Sequence, residues 1–364
     1  MTTIAQSGVE RRVLGGVDTH KDVHVAAVID DVGRILATAS FPTTRHGYRR
    51  LLVWLGGFGE ILAVGVEGCG SWGAGLARYL AARGVRVVEV NRPNRQNRRR
   101  RGKSDTVDAE AAARAVLAGD ATVTPKAGTG PVEALRQLRV ARAGAMKART
   151  AAANQLHSLI DTAPDPVRAQ LRALTFKKKV AVASSWRPRV TTTPDGASRY
   201  ALTSVAHRWQ DLAGEITQLD ARIKTILTDI ATPLLAVHGV GYDSAGQLLV
   251  TAGDNPDRLV YEASFAALCG SSPVEVSSGK TNRHRLNRGG DRHANSALWR
   301  IVIVRMTSHQ PTKDYIARRT AEGLSKQEII RCLKRYVARE LFPHVQHTIT
   351  TPQLEPAATT QRAA

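Results

Sequence analysis

The chain has 364 residues, of which 43% are hydrophobic, enough to bury the cores of two or three domains. Lys and Arg number 52 against 31 Asp and Glu, a formal net charge of +21, and so large an excess calls for a polyanionic partner, nucleic acid being the commonest. Three scattered cysteines (Cys69, Cys269 and Cys332) argue against a disulfide framework or a CxxC zinc site. No apolar run reaches the roughly 18 residues of a membrane span, and no signal peptide opens the chain, so a cytoplasmic, nucleoid-associated protein is expected.

After a polar start, residues 13–18 (VLGGVD) read as an apolar strand ending in an acid. Residues 24–29 and 34–41 make two more strands, joined by the turn Asp30-Asp31-Val32-Gly33. Thr43 or Thr44 caps a helix to about Leu55. Residues 61–67 (ILAVGVE) form another buried strand ending in an acid, then come a helix to about Arg83, a strand over 85–90, and a helix opening at Ser104. Three strands, helix, strand, helix, strand, helix is the order of a ribonuclease-H-like fold, a mixed sheet covered by helices.

The acids fall at telling places in that order. Asp18 ends the first strand, Glu67 ends the fourth, and Asp105 and Asp108 share one face of the following helix. If the first and fourth strands are neighbours, their carboxyl ends line one crevice, the usual ligand position in open α/β sheets. Four carboxylates converging there repel unless cations neutralise them, and two Mg²⁺ ions about 4 Å apart would do so while clamping a phosphodiester. Directly before the acidic pair, residues 92–103 (RPNRQNRRRRGK) carry Arg92, Arg95, Arg98, Arg99, Arg100, Arg101 and Lys103. Cations of this kind hold a nucleic-acid backbone without reading its sequence.

From Pro131 the pattern turns helical. Apolar residues from Leu135 to Leu159 predict a long helix to about Ile160, and those from Leu202 to Leu227 predict a second over 198–230, a pair suited to a hairpin or to a coiled coil between subunits. The basic, Thr- and Pro-rich stretch between them, 176–197, reads as a mobile or nucleic-acid-facing link. Gly239-Val240-Gly241 reads as a tight turn before a helix over 243–252. Then comes a glycine-rich block, Gly270 to Lys280, containing Ser277-Ser278-Gly279 and followed by Arg283, Arg285, Arg288 and Arg292. A serine beside a flexible glycine and flanked by cations could attack a phosphodiester, arginines stabilising the phosphoryl charge; the same composition also makes an ordinary basic turn. Helices are expected over 294–307, 312–322 and 325–340. Trp299 and Ile303 are expected in the core, and the polar tail from Gln346 is expected to be disordered.

Five blocks in order, Gly16-Val17-Asp18-Thr19-His20-Lys21, Val66-Glu67, Lys103-Ser104-Asp105-Thr106-Val107-Asp108-Ala109, Gly239-Val240-Gly241 and Ser277-Ser278-Gly279-Lys280, resemble the DEDD-class transposases of bacterial insertion sequences and the related pilin-gene invertases. The resemblance runs from about Leu14 to Phe342. It implies a RuvC-like DEDD domain over 1–125, a coiled-coil region over 126–230, a mostly helical transposase domain over 231–345, and a tail over 346–364. It implies Mg²⁺ held by Asp18, Glu67, Asp105 and Asp108, and Ser278 as the nucleophile joined covalently to DNA; the neighbouring cations Lys280, Arg283, Arg285, Arg288 and Arg292 are themselves expected to hold nucleic acid. It further implies a recombinase guided by a structured noncoding RNA, acting on donor and target DNA as dimers that pair into tetramers. Two departures stand out. Ser277 occupies a position where many relatives have glutamine, and Asn287-Arg288-Gly289-Gly290-Asp291-Arg292 replaces an Arg-Gly-Asn block. The alternative reading is a RuvC-like nuclease in which metals activate water and the serine is incidental.

Overall fold

The computed structural model describes residues 11–90, 104–279, 284–285 and 287–350. They fall into two compact units, residues 1–129 with 253–260, and residues 130–252 with 261–364.

The first unit is mixed α/β. Its strands are β1 (Arg12–Thr19), β2 (Val23–Asp30), β3 (Ile35–Pro42), β4 (Glu60–Glu67) and β5 (Val87–Val90), and its helices are α1 (Arg45–Gly56), α2 (Ala74–Ala81) and α3 (Asp105–Leu117). The sheet order is β3-β2-β1-β4-β5. β1 is antiparallel to β2 and parallel to β4, so the sheet is mixed. Covered on both faces, β1 is apolar almost throughout and buries seven successive residues, whereas β3 at the edge is mostly exposed or half-buried. Thr44 starts α1, its hydroxyl accepting from Gly47 N–H at 3.1 Å.

The period-2 alternation of the strands divides the unit into two cores. Val13, Val17, Ala26, Val28, Val64 and Val66 face α1 and α2, packing on Leu51, Leu55, Leu76 and Leu80. The alternate residues Leu14, Val25, Ala27 and Ile29 face α3, where Ala109 and Ala113 meet them. Segment 253–260 completes this unit from far along the chain: the Asp254 carboxylate accepts from Gly128 and Thr129 N–H at 2.9 and 3.0 Å, and the Asn255 amide donates to the Pro125 carbonyl at 2.9 Å.

His24 of β2 is fully buried and stacks on Tyr48 with ring centroids 5.7 Å apart, and neither ring nitrogen has a hydrogen-bond partner among the described residues. Burial, and then His20, lower its pKa to about 4 from 6.5. The folded state therefore keeps a neutral imidazole where the unfolded chain takes a proton, so this contribution is intact above about pH 6.5 and is lost as pH falls towards 4. The loss is expected to reach about 3 kcal/mol. Urea unfolding of the wild type and of His24→Phe at pH 7.5 and 4.5 checks this: the variant should lose less stability on acidification, and equal losses would refute it.

The second unit is helical apart from one short strand pair. α4 (Pro131–Asp161) and α7 (Pro194–Ile230) pack antiparallel, cross-linked by Arg142–Asp220 near one end and Arg208–Gln155 nearer the other. Between them lie α5 (Asp165–Arg172) and α6 (Phe176–Ser185). The expected link over 176–197 is thus partly corrected: Val180 and Ala183 bury against Leu156, Leu202 and Ala206, while Lys177 and Lys178 stay exposed on the other face. A full apolar face outweighed the basic run as a signal.

Next come α8 (Thr232–Leu235), α9 (Tyr242–Ala252), α10 (Glu262–Leu268), β6 (Val274–Glu275), β7 (His284–Arg285), α11 (Arg292–Ser308), α12 (Gln310–Ala321) and α13 (Lys326–Thr350). Gly239 takes φ +83°, which the turn before α9 requires, and Arg305 braces that turn by donating to the His238 carbonyl at 2.9 Å. Two expectations fail here. Trp299 lies on the exposed face of α11 at 45% accessibility, because Leu298, Ile301 and Val302 supply the buried stripe. α13 continues through residues 346–350, where burial of Val345 and Thr348 holds the last turns in place. Residues 351–364 lie outside the described residues.

Candidate active site

β1 and β4 run side by side with Val17 opposite Val66, so Asp18 and Glu67 leave the same end of the sheet. Strand parity puts both on the α3 side, because Asp18 alternates with Leu14 and Gly16, and Glu67 with Gly65 and Ala63. Two glycines let α3 come close. A Cβ on Gly16 would stand 2.1 Å from the Ala109 carbonyl oxygen and 2.3 Å from Ala113 N, and one on Gly65 would stand 2.9 Å from the Ala112 carbonyl oxygen. Small residues on both sides thus let the helix backbone lie almost against the sheet.

That approach delivers the first turn of α3 to the strand ends. Ser104 caps the helix, its Oγ accepting from Val107 N–H at 3.4 Å. Asp105, the first helical residue, is exposed, and Asp108, one turn on, is buried. The ligand atoms of Asp18, His20 and Asp105 lie within 4.8 Å of one another. His20 Nε2 stands 3.2 Å from Asp18 Oδ2 and 3.4 Å from Asp105 Oδ2. The Nε2 is close to both carboxylates without a well-aligned hydrogen bond to either. Thr19 ties the two strand ends together by donating to the Glu67 carbonyl at 2.8 Å.

The Asp18 carboxyl is raised above the ordinary carboxylate range. Burial is the main cause, and His20 lowers it while Asp108 and Asp105 raise it. Among the described residues, burial and the two acidic neighbours outweigh the opposing effect of His20. Asp18 and Asp105 therefore meet in one compact group, Asp108 acts on Asp18 through charge, and Glu67 leaves the adjacent strand end on the same side. His20 is the member that acid spacing alone did not single out; its place two residues after Asp18, at the end of an apolar strand, was the available signal. Exposed Trp72 lies at the rim, its ring 6.5 Å from His20.

The serine block lies in the second unit. Gly270 and Gly290 touch so closely that a Cβ on Gly290 would meet Gly270 N at 2.2 Å. Asp291 closes the block by accepting from His293 N–H at 2.8 Å and from the Thr251 hydroxyl at 2.6 Å. Burial pushes its carboxyl up, but the bonds from Thr251, His293 and Ala294 outweigh burial and hold it below the usual range. Beyond β6, Ser277 and Ser278 are both exposed. Ser277 donates to Glu275 Oε1 at 2.7 Å, and Gly279 takes φ +56°. Arg285, Arg288 and Arg292 are exposed around this loop. Arg92, Arg95, Arg98, Arg99, Arg100, Arg101, Lys103, Lys280 and Arg283 lie outside the described residues.

Among the described residues no helix is long and apolar enough to cross a membrane. No curated protein matches the chain. Two family models do. Residues 15–163 match a transposase model, that of DEDD transposases of IS110 elements, and residues 231–317 match the transposase model of the IS116/IS110/IS902 family. The first match contains the strand ends and α3, and the second contains the serine block. With both matches present in that order, the chain carries insertion-sequence transposase domains and is an enzyme that acts on DNA, a transposase.

Proposed function

We propose that this transposase cuts and rejoins DNA through a covalent serine–DNA intermediate, assisted by Mg²⁺ at a RuvC-like site. The observation that carries the reading is the meeting of Asp18 and Asp105, with the Asp18 carboxyl raised by burial and by its acidic neighbours. Such a donor set fits a hard divalent cation. Asp18, Glu67, Asp105 and Asp108 would hold it, two ions being the expected number for phosphodiester chemistry. When bound, the metal supplies Lewis-acid stabilisation of charge on the phosphate oxygens. His20, already within 3.4 Å of both carboxylates, could join them in holding the ion. The mixed sheet with α3 on the acid-bearing face supports the ribonuclease-H-like reading.

The family resemblance assigns Ser278 as the nucleophile. Its Oγ forms a bond to a DNA phosphorus, its proton passes to a neighbouring base or water, and the bond from phosphorus to the leaving sugar oxygen breaks. Attack on that phosphoserine by a different DNA end rejoins the strand and releases the serine. Arg285, Arg288 and Arg292 stabilise the phosphoryl charge. Residues 92–103, with Lys280 and Arg283, hold the strands. A structured noncoding guide RNA and a dimer pairing into a tetramer complete the proposal; the resemblance supports them.

The test uses the purified full-length protein with Mg²⁺, the element's end RNA, and donor and target DNA. A denaturation-resistant protein–DNA adduct is expected, attached at Ser278 by mass spectrometry, retained in Ser277→Ala and lost in Ser278→Ala. An adduct that survives Ser278→Ala removes that serine from the mechanism. Cleaved DNA with free ends and no adduct supports hydrolysis by a metal-dependent nuclease instead.

A further inference from the structure

Within the second unit, a cleft of about 780 Å³ opens between the Gly270 turn, the β6–β7 pair and α13. Its lining is strongly basic: Arg285, Arg331, Lys334, Arg335 and Arg339, against one acid, Glu328. The charges differ in how they are answered. Arg335 is paired with Glu262, one of its two bonds being 2.9 Å, and Arg339 lies 3.9 Å from the same carboxylate. Glu328 is turned to the start of its own helix, accepting from Ser325 N–H at 2.9 Å and from its hydroxyl at 2.6 Å. Arg285 and Arg331 make no ion pair within 4 Å among the described residues, and the Arg331 Nε only donates back to the Gln327 carbonyl, at 3.3 Å.

Lys334 is the unusual member. It is only 6% exposed, yet among the described residues its one hydrogen bond goes to a neutral amide, Asn295 Oδ1 at 2.8 Å. Burial, and then Arg331, push its ammonium below the ordinary lysine range. An ammonium taken out of water without a counter-charge is costly, and buried charges are as a rule paired. Asn295 also donates to the Cys269 and Gly270 carbonyls at 3.0 and 2.9 Å, so the lysine is positioned against the turn that leads into the serine loop. Tyr336, half exposed, stands at the rim, with Arg339 over its ring at 5.9 Å and the Tyr315 ring 5.5 Å away.

We propose that this cleft is a phosphodiester site, in which buried Lys334 at the floor and Arg331 and Arg285 at the mouth grip the backbone of a nucleic-acid strand. The inference rests on the reading of the protein as a nucleic-acid enzyme, but not on which serine or metal performs the chemistry. The bound phosphate supplies the charge that Lys334 lacks, and the strand enters the same unit that carries Ser278.

Fluorescence anisotropy with the full-length protein in EDTA tests it, using one labelled single-stranded oligonucleotide made as DNA and as RNA, over a salt titration. Lys334→Met is expected to weaken binding about tenfold and to lower the slope of log affinity against log salt by about one. Its melting temperature should hold or rise, since an unpaired buried charge is gone; a structural lysine would instead lower it. Arg331→Gln, a less buried change, should also lower the slope. A loss confined to one oligonucleotide identifies the strand as DNA or RNA. Unchanged affinity and slope in both variants, with the wild type binding, overturn the site alone. A wild type that binds neither strand overturns the nucleic-acid reading with it. The outcome is independent of the serine adduct, because binding alone is read.

Discussion

Replacing Asp18 by Asn is expected to lower Mg²⁺-dependent strand cleavage by on the order of a thousandfold, the several kcal/mol that a held metal contributes at a phosphoryl centre. The same change should raise the stability of the metal-free protein. The Asp18 carboxyl is raised in the fold by burial and by Asp108 and Asp105, so its ionised form is a liability at neutral pH. The sign is that of a carboxylate with a raised folded pKa: there is no penalty below the unfolded value of 3.8, and the penalty accrues as pH rises through the folded value. Asn is isosteric and carries no charge, so it escapes that penalty. Thermal unfolding at pH 7.5, with and without Mg²⁺, separates the two effects. For the wild type, Mg²⁺ at a hundred times its dissociation constant should add about 2.7 kcal/mol, and Asp18→Asn should lose most of that gain. A variant that is cleavage-competent, or that is stabilised by Mg²⁺ as fully as the wild type, would remove Asp18 from the metal set.

The second large effect is expected at Gly16, which touches no metal and no substrate. Gly16→Ala places a methyl group 2.1 Å from the Ala109 carbonyl oxygen and 2.3 Å from Ala113 N, so the backbone of α3 must move away from the sheet. Overpacking against backbone is expected to destabilise the protein by about 3 kcal/mol. The helix that retreats is the one carrying Asp105 and Asp108, so Mg²⁺ binding should weaken along with stability. Gly144→Ala is the control. Gly144 is exposed within α4 with nothing within 4 Å of the added methyl, and the change should stabilise by about 0.5–1 kcal/mol through helix propensity alone. Chemical unfolding of the two variants checks both signs. A neutral Gly16→Ala would mean that α3 does not lie as close to the sheet as the glycine pair requires.

These two positions also show where sequence information stops. Elements could be read because their signals are local. Thr44 and Ser104 cap the helices they precede, Pro131 opens α4, and the unbroken apolar runs of β1 and β4 predict strands covered on both faces. The acids could be picked out because each ends a strand or begins a helix, and the family blocks put them in order. Periodicity reports which face of an element is apolar, but not what covers it. Hence Trp299 was expected inside and lies outside, and the basic run at 177–179 concealed a helix whose opposite face is buried.

The inventory is legible residue by residue: strands and helices in order, a mixed sheet, four acids at element ends, and a serine beside a glycine amid arginines. Which of these meet is settled by folding. Two glycines and a row of alanines set the spacing between α3 and the sheet, and that spacing brings Asp105 to Asp18 and makes His20 a neighbour of both. Segment 253–260 joins a unit that otherwise ends at residue 129, through hydrogen bonds spanning more than a hundred residues. Lys334 looks like any helical lysine in the chain, and its burial opposite Asn295 is set by the packing of α11 against α13. The physical reason is common to all three. Charge and apolarity belong to single residues and can be read one by one, whereas desolvation and approach distance are properties of pairs that only folding brings together.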